Sequence, residues 1–175
     1  MDCRAAQDVC AALSCYWDAA CALELAASNN NGQKVVQAAN ANDHNGQEAV
    51  SLSTFSHVWR RVYGVLLEEL PTDVDDHIAQ DWAREARKIG HVRSQDWQMG
   101  RDPFEGAVFD MASTWCSSES ATEHADFLSK LLDRIVRLGR AGPHVFKPTH
   151  EVSATGRRPI PCLDPDALVC RLKRV

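Results

Sequence analysis

Between residues 52 and 138 the apolar residues recur every three to four positions, in runs that end at helix-stopping residues. That period belongs to one face of a helix, and a face of that kind must be covered by others like it. Phe55, Val58, Trp59, Val62, Leu66 and Leu70 form the first run, over 52–70. Pro71 closes it, because proline disfavours helical geometry in the residue before it. Thr72 then reads as an N-cap with Asp75 three positions on, and Asp73, Asp75 and Asp76 suit a positive helix start. Val74, Ile78, Trp82 and Ile89 carry the second run. Arg84, Arg87 and Lys88 suit its last turn, and Gly90 suits the left-handed residue that follows a helix.

A connector over 91–100 follows, with Val92 and Trp97 as its anchors. Asp102-Pro103 then opens a third helix, as cap and first-turn proline. Phe104, Val108, Phe109, Met111, Ala112 and Trp115 ride on it. Ser120-x-x-Glu123 has the form of a capping box. Phe127, Leu128, Leu131, Leu132, Ile135 and Leu138 extend the helix behind it to Gly139. Only a few residues separate these two helices, so 103–138 reads as a helical hairpin. The expected fold is all-α, a small helical bundle containing that hairpin.

The ends read differently. Residues 1–27 form an alanine-rich helix carrying Val9, Leu13, Tyr16, Trp17 and Leu23. Residues 28–50, rich in Asn and Gly, read as a linker that sets this helix apart from the body at 51–139. Pro and Gly punctuate residues 140–175, giving an extended tail. Asp164-Pro165 then starts a short terminal helix with Leu168, Val169 and Leu172. The chain has a net charge of −5, yet this tail carries seven bases against three acids. A basic tail on an acidic body suggests an acidic surface as the tail's partner. The acidic whole argues against nucleic acid, which needs a basic footprint.

Seven cysteines stand at 3, 10, 15, 21, 116, 162 and 170. Their odd number and irregular spacing predict reduced thiols rather than a secreted disulfide framework. No C-x2-C pair is present, so no metal is expected. No run of about 18 apolar residues is evident, so no membrane span is expected either. Phosphate-binding glycine loops are absent, and Asp73-x-Asp75-Asp76 lacks the later residues of a calcium loop. One enzymatic alternative survives. Cys116 and His124, with a third polar group, could form a thiol or metal site, or Cys162 could meet Cys170 instead. A helix C-terminus is a poor place to activate Cys116, because the dipole there is negative.

One stretch resembles a known group of proteins. It runs from Ala86-Arg87-Lys88-Ile89-Gly90 through Asp96-Trp97 to Arg101-Asp102-Pro103-Phe104-Glu105-Gly106-Ala107-Val108-Phe109-Asp110-Met111-Ala112-Ser113-Thr114-Trp115-Cys116. It resembles ciliary and flagellar axonemal proteins, in which a helix reads roughly F-x-x-[AS]-[VLM]-F-[ED]-[LM]-A-x-x-W. Their following helix carries [YH]-x-x-F-L-x-x-[LI], echoed by His124-Ala125-Asp126-Phe127-Leu128-Ser129-Lys130-Leu131. The resemblance implies a structural, non-enzymatic subunit of a microtubule-based axoneme, in cytoplasm and cilium, docking on partner proteins or microtubules. No catalytic residue or cofactor carries over. At helical spacing the aromatics are most simply core, but tryptophan and arginine also concentrate interface energy, and Trp97, Arg101 and Phe104 are the interface candidates of the body. Lys147, Arg157, Arg158, Arg171, Lys173 and Arg174 are those of the tail.

Overall fold

A computed structural model describes residues 3–30, 48–67, 70–90, 97–138, 144–147 and 152. The fold is all-α, as the periodicity predicts. Five helices follow one another: α1 (Cys3–Asn30), α2 (Leu52–Leu66), α3 (Val74–Lys88), α4 (Arg101–Trp115) and α5 (Ala121–Ile135). Two three-residue strands, β1 (Val136–Leu138) and β2 (His144–Phe146), pair antiparallel with Val136 opposite Phe146.

Local chemistry explains most boundaries. Ser51 caps α2, its hydroxyl accepting from the Thr54 amide. Gly90 ends α3 at φ +81, where a Cβ would strain. Other caps differ from expectation. The α3 N-cap is Asp73 rather than Thr72, and it makes no side-chain cap bond. Gly100, not Asp102, caps α4, which leaves Pro103 inside the first turn, where its missing N–H costs nothing. Expected to reach Leu138, α5 stops at Ile135 instead. Val136–Leu138 pairs with β2, so residues 144–146 of the expected tail lie against the body.

The alanine-rich helix is not set apart. α1 packs most extensively on α5 and also meets β2, α4 and α2. Tyr16, Ala19 and Ala20 have no exposed surface. Alanines let the backbones approach closely, and the Tyr16 hydroxyl then reaches the Leu128 carbonyl at 3.3 Å. At its far end, Glu24 accepts from both the amide and the hydroxyl of Ser51, tying α1 to the start of α2. Length and composition over Cys3–Ala27 would also suffice to cross a membrane, which corrects the reading that no stretch could. Here the apolar face of that helix covers the core.

Aromatic rings join the elements in an unbroken series. Trp17 of α1 meets Phe104 of α4 at 5.6 Å between centroids, and Phe104 meets Trp59 of α2 at 6.0 Å. Trp59 stacks on Phe55 at 4.0 Å; Phe55 meets Trp82 of α3 at 5.2 Å, and Trp82 meets Trp97 at 4.7 Å. Each such contact adds roughly 0.5–1.5 kcal/mol beyond area burial.

Trp17→Ala is therefore expected to destabilise the chain by about 3–5 kcal/mol, measured by denaturant unfolding. A near-neutral result would restore α1 to a separate arm.

Candidate functional site

The α4–α5 corner holds the densest polar arrangement on the body. Five residues connect the helices, and Glu123 in the first turn of α5 organises them. Its carboxylate accepts from the Ser117 amide at 2.7 Å and the Ser118 amide at 3.1 Å. The Ser117 and Ser118 hydroxyls donate to it as well. The expected capping box is thus redirected: Ser120 makes no side-chain cap bond, and Glu123 reaches past it to the loop. These donors, Ser118 foremost, pull the Glu123 carboxyl down from 4.5 to about 2. An anion in the first turn also suits the helix dipole.

Behind the loop lies His124, only 4% exposed. Its Nδ1 stands 2.8 Å from the Ser120 carbonyl, which can only accept, so Nδ1 carries hydrogen. In the neutral ring Nε2 then accepts from the Ser113 hydroxyl at 3.1 Å. Both nitrogens are satisfied, as a buried imidazole requires. The His124 nitrogens are thus engaged by Ser113 and Ser120 rather than by a thiol. Cys116 itself is buried. The order serine–imidazole–carbonyl is also that of a base-assisted hydroxyl; here it locks the ring against Phe109, stacked on it at 5.2 Å. Phe109 is 39% exposed, the large aromatic that α4 presents to solvent.

The expected interface residues divide. Trp97 is 7% exposed and Phe104 is fully buried. Both belong to the aromatic series, so neither presents an anchor at the surface, and the reading of them as interface residues is corrected. Arg101 is exposed, its guanidinium donating to Glu105 at 2.7 Å and to Ser14 of α1 at 2.6 Å. Lys147 is held by the body. Its ammonium donates to the Asp133 carbonyl at 2.6 Å, near the negative end of α5. Its own carbonyl accepts from buried Arg61 at 2.7 Å, and that guanidinium also lies over the Phe146 ring. Arg157, Arg158, Arg171, Lys173 and Arg174 lie outside the described residues.

Two surface features had no clear sequence signal. One is Phe109, indistinguishable by spacing from its buried neighbour Val108. The other is an open groove of about 530 Å³ between α1 and α5. Ala5, Ala12 and Ala125 are among its lining, and Asp8, Asp126 and Asp133 rim it. Among the described residues, no three of His, Cys, Asp and Glu converge closely enough to hold a metal ion.

No family model matches the chain, and searches of curated proteins and of solved structures find no significant match.

The depressed Glu123 carboxyl sets a pH dependence for the corner. Its loop contacts are complete above the ordinary carboxylate range. Their contribution to stability falls below pH 4.5, where the unfolded carboxyl protonates, and is lost as pH falls through about 2, where the folded one does. Carboxyl NMR should place the Glu123 midpoint near 2, with the Ser117 and Ser118 amides shifting in step; a midpoint near 4.5 would show that the carboxylate does not hold the loop.

Proposed function

We propose that the chain is a non-enzymatic interaction subunit of a ciliary or flagellar axonemal assembly, docking on partner proteins through its helical body. Exposed Phe109 carries this reading. In the segment that resembles axonemal proteins, core packing accounts for Phe104, Ala107, Val108, Ala112 and Trp115, all buried. It does not account for an aromatic at 109. There the ring is backed by His124 on one side and open to solvent on the other, which is how an interface anchor is prepared. The pinned Ser117–Ser118 loop beside it keeps the corner in one shape, so little ordering would be needed on binding. Asp110, next in the same motif, is turned to Lys88 at 2.7 Å and braces α3 against α4 behind the anchor.

Expressed with a tag in ciliated cells, the chain is expected to remain with the axoneme after detergent extraction. Phe109→Ala should move most of it to the soluble fraction while leaving its helical circular dichroism unchanged. A wild-type chain that is wholly detergent-soluble would contradict the axonemal reading. Retention of the Phe109→Ala chain would remove Phe109 from the interface.

A further inference from the structure

We propose that the α1–α5 groove receives the chain's own basic segment, residues 163–174. Small side chains line the groove from both helices: Ala11 is exposed, and Ala5, Ala12 and Ala125 are nearly covered, so no bulky side chain from these positions obstructs an incoming segment. Leu132 offers apolar surface at one end. The carboxylates of Asp8 and Asp133 are exposed, and neither forms an ion pair with another described residue; Asp126 is paired with Lys130 at 2.5 Å. Elsewhere on the body the acids of α3 and α4 are largely paired within it, as in Asp75–Arg60, Asp81–Arg84 and Glu105–Arg101.

The segment has the complementary pattern. Asp164-Pro165 is a helix start, and Leu168, Val169 and Leu172 fall at helical spacing. Arg171, Lys173 and Arg174 follow on the same stretch. These residues lie outside the described part of the chain, so length decides whether they can reach. The last described residue, Val152, is buried in the body. Leu168 lies sixteen positions beyond it, a stretch that spans up to about 53 Å when extended. A chain of this size has a radius of gyration of only about 16 Å, so most of its surface is within reach. Leucines on the alanine floor and cations over Asp8 and Asp133 would satisfy both partners at once. The proposal goes beyond the axonemal reading. It makes the tail a ligand of its own body, which an acidic partner surface would have to displace.

Zero-length carbodiimide coupling on the purified full chain at low salt tests this without any partner, so its outcome is independent of axonemal retention. Lys173 is expected to couple to Asp8 or Asp133 in the monomer band. The yield should fall several-fold in about 0.5 M salt, where charges are screened beyond a few ångströms. In the Asp8→Asn, Asp133→Asn double variant, amides of 163–172 should exchange hydrogen several-fold faster, with body amides unchanged. Three results would overturn the proposal: coupling confined to a dimer band, which assigns the groove to a second copy; coupling to Asp73, Asp75 or Asp76 instead; or amides at 163–172 that exchange at the free-chain rate in the unmodified protein.

Discussion

Phe104 is the contact on which the rest of the packing turns. Its ring is fully buried and touches both Trp17 and Trp59, so one side chain joins α1, α2 and α4. From Trp59 the rings continue to Phe55, Trp82 and Trp97, which brings in α3 and the chain before α4. α5 enters by another route, through the alanine face of α1 and the Tyr16–Leu128 bond. Burial raises the Tyr16 phenol well above its ordinary range, with Asp133 adding to the effect. The hydroxyl therefore stays protonated and donates throughout the range in which the chain would be folded.

The periphery follows from that core. α5 ends at Ile135, and Val136 enters a strand pair with Phe146. Arg61 fastens that pair. It is buried without a carboxylate partner among the described residues, yet it donates to the carbonyls of Lys147 and His57 and faces the Phe146 ring. Burial lowers its pKa, but a guanidinium keeps its charge. Of the basic residues read as an outward arm, Lys147 is a brace for α5, and Arg157, Arg158, Arg171, Lys173 and Arg174 lie outside the described residues.

Much of this was legible in the residues and some was not, for physical reasons. α2, α3 and α5 have narrow apolar stripes flanked by charge, so their existence and most of their buried faces could be read directly; α2 nonetheless ends at Leu66, short of the expected Leu70, and Leu70 and Ile89 are exposed. α1 was legible as a helix but not as core, because alanine serves equally on a solvent face and in a close interface. The apolar residues of α4 are not confined to one stripe, so spacing could not separate buried Phe104 from exposed Phe109. The rule that tryptophan and arginine mark interfaces pointed at Trp97 and Phe104, yet a small bundle needs its aromatics inside. The end of α5 was lost because Leu138 continues the helical spacing, while the β2 partner that diverts the chain comes from beyond the next glycines. The His124 hydrogen bonds joined a helix to the turn of its neighbour, a relation that no spacing encodes.

The central claim is that α1 is part of one cooperative body, joined to it at Phe104 and Leu128. Native-state hydrogen exchange tests this most directly. Amides of Tyr16–Ala20 should open only with global unfolding, at the same free energy as those of Leu128–Leu131 and with the same denaturant dependence. Exchange of the α1 amides at a lower free energy, while those of α5 stay protected, would show that α1 detaches on its own and would contradict the account.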